Sequence, residues 1–262
     1  QPNGRSVVLL HGRNFPSSYW APVIKTLSEA GYRVVVPDQI GFGKSSKPDI
    51  ALSLHALARN TKALLDELRV AKADVIAHSM GCMLAVRFAL MYPDAAGSLV
   101  LEGPIGLEDY RLKVPYVPRE QLIAQSRAQT REGIDRFFRA YFVKWQDRFQ
   151  LYADVAWRWT LGPEAERLHR VAANTYAMAY EQPVVYELAR LGVPTLIVVG
   201  EKDRSAIGRN LVTPEVRETL GNMPELARQA CNVIQNCTVA VLNDTGHVPH
   251  LEVPEFFHAV LF

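Results

Sequence analysis

The sequence predicts an α/β fold: a mainly parallel sheet with helices on both faces and an inserted helical segment. Three observations predict it. Short apolar runs rich in β-branched residues recur along the chain, helix-length segments alternate with them, and the alternation stops once, between residues 104 and 190.

The apolar runs lie at 6–11, 33–37, 73–77, 98–102, 194–200 and 238–242. Continuous runs of this length suit strands buried on both faces. Helical segments are expected at 21–31, 53–69, 81–92 and 223–234. In the second of these, Ala56, Leu57, Asn60, Leu64, Leu65 and Leu68 have the three-to-four spacing of one buried face. Strands that alternate with helices imply right-handed crossovers and parallel pairing. The stretch 104–190 holds 14 of the 24 Phe, Trp and Tyr residues. An insertion that long reads as a helical cap over the C-terminal edge of the sheet, where open α/β sheets bind ligands. The expected division is a core of 1–103 and 191–262 with a cap of 104–190.

Composition narrows the function classes. The 262 residues fit one large α/β unit. With 48% hydrophobic and 21% charged residues, the chain is neither disordered nor collagen-like. The 29 Lys and Arg nearly cancel the 27 Asp and Glu, and no segment is densely basic. A small-molecule substrate is therefore expected, and no nucleic-acid partner. No apolar run reaches the roughly 18 residues of a membrane span. Cys82, Cys231 and Cys237 form no CxxC, so neither a metal nor a cofactor is expected. Cys231 and Cys237 read as two reduced, buried thiols, with pairing as the alternative in an exported protein. The chain begins with Gln1 rather than Met, which implies that an upstream segment was removed. Exported and cytoplasmic locations both stay open.

The chemistry centres on Ala77-His78-Ser79-Met80-Gly81, a G-x-S-x-G pattern with Ala in the first glycine position. In such a pattern the serine sits on a tight strand-to-helix turn, so the residues two before and two after it must be small. The turn lifts the Ser79 hydroxyl above the sheet and aims the helix N-terminus at the reaction centre. His247, after the last strand, is the expected base. Asp203, directly after the run at 194–200, is the expected acid that orients it, with Glu102 as the rival. His250 and His258 read as ordinary surface or packing residues. His11-Gly12-Arg13-Asn14 follows the first strand, so the backbone N–H groups of Arg13 and Met80 are the expected oxyanion donors. Asn14 is a candidate to orient a polar atom of the substrate. Within the cap, Trp145, Trp157, Trp159, Tyr176 and Tyr180 are candidates to line an apolar pocket. Gly43-Lys44-Ser45 lacks the upstream glycine of a phosphate-binding loop, because Asp38 stands there. Asp38 is instead expected to brace its loop.

Together His11-Gly12, Pro37-Asp38, Gly41-Phe42-Gly43, His78-Ser79-Met80-Gly81, Gly200 with Asp203, and Gly246-His247 resemble the α/β-hydrolase superfamily. The resemblance extends to a mostly uncharacterised bacterial subfamily of such enzymes. It implies a serine hydrolase with Ser79, Asp203 and His247 as triad, and it implies no substrate. Relatives usually carry glycine where this chain has Ala77 and Cys82. They also place a β-hairpin before the first strand seen here, which leaves an upstream continuation or a sheet short at one edge. The leading expectation is a carboxylesterase-type acyl hydrolase acting on a small, largely apolar ester. The same triad serves C–C bond hydrolases, perhydrolases and aminopeptidases, the last needing cap carboxylates such as Glu164, Glu166 or Glu181. A slow-turnover small-molecule receptor is the alternative from another class. Serine at position 79 argues against haloalkane dehalogenase or epoxide hydrolase chemistry, for which the resemblance would require Asp.

Overall fold

The computed structural model describes residues 4–261. Its centre is a sheet of strands β1 (Ser6–Leu10), β2 (Arg33–Val35), β3 (Ala73–His78), β4 (Ala96–Glu102), β5 (Thr195–Gly200) and β6 (Cys237–Leu242). Their spatial order is β2-β1-β3-β4-β5-β6, and every pairing is parallel. All strand C-termini therefore open on one edge. Among the described residues the sheet ends at β2, a three-residue strand that exposes Arg33.

The strands form where the β-branched runs lie, because Val, Ile and Leu there can be covered on both faces. Val8, Leu9, Leu10, Val75 and Val199 are fully buried. Helices α1 (Ala21–Glu29), α2 (Leu54–Glu67) and α3 (Met80–Met91) supply part of that cover. Ser53 caps α2, its hydroxyl accepting the Ala56 N–H at 3.1 Å. The buried face of α2 is Leu54, Leu57, Ala58, Thr61 and Leu65. It differs from the expected face, which included Ala56 and Asn60. Thr61 takes its place between Leu57 and Leu65 at four-residue steps, where its hydroxyl accepts from Gln39. The central helix, α3, is buried on all sides from Met80 to Ala89.

Between β4 and β5 run helices α4 (Arg119–Arg127), α5 (Arg131–Arg139), α6 (Gln150–Leu161) and α7 (Ala165–Glu181). Helix α7 is tied to the start of α2: the Leu54 N–H donates to Gln182 at 2.9 Å, and Asn174 donates to the Ile50 carbonyl at 2.8 Å. The end of α5 packs differently. Phe138, Tyr141 and Tyr152 surround Phe15 of the loop after β1, with centroids 5.3–5.9 Å away. The chain closes with α8 (Pro214–Glu218), α9 (Met223–Val233), α10 (Pro249–Glu252) and α11 (Pro254–Leu261).

The two C-terminal cysteines depart from the reduced-thiol expectation. Cys231 in the last turn of α9 is bonded to Cys237, the first residue of β6, with Cα atoms 5.1 Å apart. The short link between helix and strand turns back on itself and brings the two thiols together. Cys82 remains a buried free thiol.

Candidate active site

Ser79 follows β3, Asp203 follows β5 and His247 follows β6, so the parallel sheet delivers all three to one edge. Ser79 adopts φ 56° and ψ −118°. A residue with a side chain holds such angles only where its surroundings over-determine them. Here the Ser79 N–H is fixed to the Glu102 carbonyl at 2.9 Å, and α3 starts at the next residue. A Cβ on Gly81 would collide with the Leu10 carbonyl oxygen, whereas Ala77 fits on the strand, fully buried. Cys82 also fits, its thiol aimed at the carbonyls of Ala77 and Glu102 at 3.2 and 3.4 Å.

The three side chains form a relay. His247 Nε2 lies 3.0 Å from Ser79 Oγ, and His247 Nδ1 lies 2.8 Å from Asp203 Oδ2. A carboxylate only accepts, so Nδ1 carries the proton and Nε2 is free to accept from the serine. Burial pushes the Asp203 carboxyl up. Attraction to His247 and bonds from His247 and Ser205 outweigh it and hold the group below the usual carboxylate range. All three residues are more than nine-tenths buried.

Glu102 does not compete for His247. Its carboxylate accepts the His250 N–H at 2.7 Å and the His250 Nδ1–H at 2.8 Å, both residues fully buried. His250 is thus a packing residue rather than a surface one. His258 is half-buried near Thr26. His78, beside the serine, has a role with no sequence signal. Its Nε2–H donates to the His247 carbonyl at 2.9 Å, and its Nδ1 accepts from the Tyr19 hydroxyl at 3.0 Å. The Tyr19 oxygen in turn accepts the Gly12 N–H at 3.0 Å. This chain ties the His247 loop to the loop after β1. Burial, reinforced by the neighbouring His247 and His250, pushes His78 well below its ordinary range and keeps it neutral.

Gly12 lets that loop approach the serine: a Cβ there would lie 3.2 Å from Ser79 Cβ. Among the described residues, the N–H groups of Arg13 and Met80 have no intramolecular acceptor. Asn14 points its amide at Tyr141, donating to the hydroxyl at 2.7 Å. Tyr141 is the residue that sequence reasoning passed over. Its ring lies 4.8 Å from the His247 ring, and its carbonyl accepts the His247 N–H at 2.7 Å. Nothing in its run of aromatics distinguishes it; only the end of α5 brings it here. Glu252 likewise joins the segment after α5 to the histidine loop, accepting from Val143, Lys144 and Gly246 at 2.7–3.0 Å.

The other candidates between residues 104 and 190 divide. Tyr176 lies beside Arg13, the guanidinium carbon 5.9 Å from its ring centroid. Tyr180 stacks on Tyr176 and donates to the Val114 carbonyl at 2.9 Å. Trp145 packs on Phe142 and Phe149 beneath Arg139, and Trp157 joins the same apolar cluster. Trp159 is half-buried on α6. No described contact joins these three tryptophans to Ser79, Asp203 or His247. Glu164 and Glu166 are engaged by Lys47 and Arg167, and by Arg127 and Arg170, while Glu181 is exposed. The Asp38 carboxylate accepts from Ser17 and Lys44, each at 2.9 Å. A cleft of about 220 Å³ beside it, lined by Gln39, Ser46, Asn60 and Leu64 among others, shares no residue with the relay.

A strand-to-helix elbow that presents a serine to a histidine and an aspartate on a parallel sheet defines a hydrolase of the α/β class. The sequence model of the alpha/beta hydrolase family matches residues 7–260, and the chain belongs to that family. The structure superposes on a probable hydrolytic enzyme from Pseudomonas aeruginosa PAO1 with a TM-score of 0.97 and 42% identity. That match covers all of this chain and 85% of the other. Among curated proteins, 2-hydroxy-6-oxo-6-phenylhexa-2,4-dienoate hydrolase of Burkholderia cepacia is 36% identical over 108 residues, 40% of this chain. Epoxide hydrolase A of Mycobacterium tuberculosis is 29% identical over 144 residues, 54% of this chain. The matches span only 38% and 42% of those relatives.

Proposed function

We propose that the chain is a serine hydrolase of the carboxylesterase type, working through an acyl-enzyme. The carrying observation is the relay of Ser79, His247 and Asp203 at 3.0 and 2.8 Å on a strained elbow. Ser79 Oγ attacks the ester carbonyl while His247 Nε2 takes its proton. The negative charge that develops on the carbonyl oxygen is held by the N–H groups of Arg13 and Met80, the latter at the positive end of α3. Collapse expels the alcohol, which takes the proton from His247. A water then attacks the acyl-enzyme, gives its proton to His247, and the acid leaves as Ser79 is reprotonated. Asp203 holds the imidazole in the tautomer this requires. Residues 104–190 act as a cap, with Tyr141 against His247 and Tyr176 beside Arg13.

A second reading keeps the triad and changes the bond. The curated relatives include hydrolases named for 2-hydroxy-6-oxo-dienoates, which supports C–C cleavage as the alternative. A serine in place of aspartate at position 79 sets the chain apart from the chemistry of epoxide hydrolases. Treatment with a fluorophosphonate followed by intact mass and peptide mapping tests the core of the proposal. A single adduct on Ser79, lost in His247→Ala, is expected, and absence of any adduct overturns it. Comparing a 4-nitrophenyl ester with a vinylogous diketone then separates the two bond types.

A further inference from the structure

We propose that the Arg13 side chain is the receptor for a carboxylate on the substrate, so that the ester taken by this site is an anion rather than a largely apolar molecule. The inference rests on the hydrolase reading for what happens to the bound molecule. The site itself stands on three observations.

The first is position. Arg13 directly follows Gly12, which touches Ser79, and its own N–H is a proposed oxyanion donor. Its guanidinium lies against the Tyr176 ring, and its charge acts on Tyr141, whose ring stacks near His247. The cation therefore sits close to both Tyr176 and Tyr141, the second of which packs against His247.

The second is its lack of a partner. Among the described residues, no carboxylate lies within 4.0 Å of Arg13 and its side chain makes no hydrogen bond. Other arginines of the chain behave otherwise: Arg87, Arg111, Arg119, Arg127, Arg131 and Arg170 are each paired with Asp or Glu. Arg13 is half-buried, and burial pushes its guanidinium below its ordinary value. A sheltered cation without a counter-charge is unfavourable unless a ligand supplies one.

The third is Tyr176. It is 8% exposed, and its hydroxyl is buried without a hydrogen-bond partner. An open donor beside an unpaired guanidinium matches what a carboxylate needs: a planar fork for its two oxygens and one further hydrogen bond. A single cation balances a single negative charge, which favours a carboxylate over a phosphate dianion. Because the side chain springs from the oxyanion loop, the carboxylate is held within one arginine's reach of the scissile carbonyl.

The test compares 4-nitrophenyl hemiglutarate with 4-nitrophenyl pentanoate, which differ only by a terminal carboxylate in place of a methyl. The readout is the ratio of their kcat/KM values. In the unmodified chain the ratio is expected to favour the hemiglutarate. It should fall about 10- to 100-fold in Arg13→Met, less in Arg13→Lys, and severalfold in Tyr176→Phe. A ratio unchanged in Arg13→Met and in Tyr176→Phe overturns the assignment. Failure of the hydrolase reading looks different, because neither ester is then turned over by any form. In that event the readout is the melting-temperature shift given by monomethyl glutarate. A shift lost in Arg13→Met supports the receptor, and no shift in the unmodified chain overturns it.

Discussion

The molecule carries two imidazole–carboxylate pairs whose histidines are three positions apart. His247 with Asp203 and His250 with Glu102 are both buried, and in each the Nδ1 meets a carboxylate oxygen at 2.8 Å. They differ at the other nitrogen. His247 Nε2 faces Ser79 Oγ, whereas His250 Nε2 has no hydrogen-bond partner among the described residues and its ring stacks on Trp20 with centroids 4.3 Å apart. Glu102 is further occupied by the His250 N–H. One pair is open toward the Ser79 hydroxyl; the other pins the start of α10 against β4. Pairing an imidazole with a carboxylate is thus common to both sites and does not distinguish them. The contact to Ser79 does, and on the proposed mechanism that contact is what a base requires.

The largest test of this contrast exchanges each carboxylate for its amide. Asp203→Asn keeps the shape but lets the imidazole take the wrong tautomer, and kcat/KM for a 4-nitrophenyl ester is expected to fall about 10³- to 10⁴-fold. Glu102→Gln should lower it less than about tenfold, because only the backbone carbonyl of Glu102 touches Ser79. Comparable losses in the two variants would mean that the pairs share the catalytic work.

Stability should reverse the ranking. His250→Ala leaves the Glu102 carboxylate buried without its partner, which is expected to lower the unfolding free energy by about 3–5 kcal/mol. Denaturant titration reads this directly. Adding Glu102→Leu to His250→Ala should recover part of the loss, since the stranded charge is then gone. A loss below about 1 kcal/mol in His250→Ala would deny the pair its structural role.

The contrast also marks where sequence reasoning works. The strands were readable because a parallel sheet covered on both faces demands continuous apolar runs, and position after a strand end marked out Ser79, Asp203 and His247. The elbow's need for small residues marked Ser79 independently. Glu102 and His250 sit at equally suitable positions, and no local pattern says which nitrogen will face the serine. That is decided by strand register and by the turn after β6. Tyr141 and the open Arg13 side chain depend on how α5 and α7 settle over the sheet. Those contacts join residues more than a hundred positions apart, and no short-range periodicity encodes them. The Cys231–Cys237 bond stood only as the alternative for a related reason: the turn linking α9 to β6 carries no signature that would have put pairing first.

A smaller effect concerns the histidine that lies between the pairs. His78 is 4.8 Å from the His247 ring and 5.9 Å from the His250 ring. Burial and those neighbours lower its pKa, and burial likewise lowers that of His11. The unfolded chain binds the protons that the folded chain refuses, so stability falls as pH drops below the ordinary histidine value near 6.5. The slope is about 1.4 kcal/mol per pH unit for each group, up to twice that for both. Thermal unfolding between pH 7 and 5.5 should show this loss, and His78→Gln should flatten it. An unchanged profile in His78→Gln would place the titration elsewhere.

The smallest effect tests why Tyr141 packs on only one of the two pairs. Tyr141 stacks near His247, while His250 is walled by Trp20 and Tyr19 of the core. Tyr141→Phe keeps the ring and removes the oxygen that accepts from Asn14 at 2.7 Å. One neutral hydrogen bond is worth about 0.5–1.5 kcal/mol, so kcat/KM should fall roughly two- to tenfold. The loss should also appear in the rate of fluorophosphonate labelling, because a loosened Asn14 loosens the loop that carries the Arg13 N–H. A drop in ester turnover with labelling unchanged would instead assign the Tyr141 hydroxyl to substrate binding. Tyr141 would then act on the ligand rather than on the oxyanion loop.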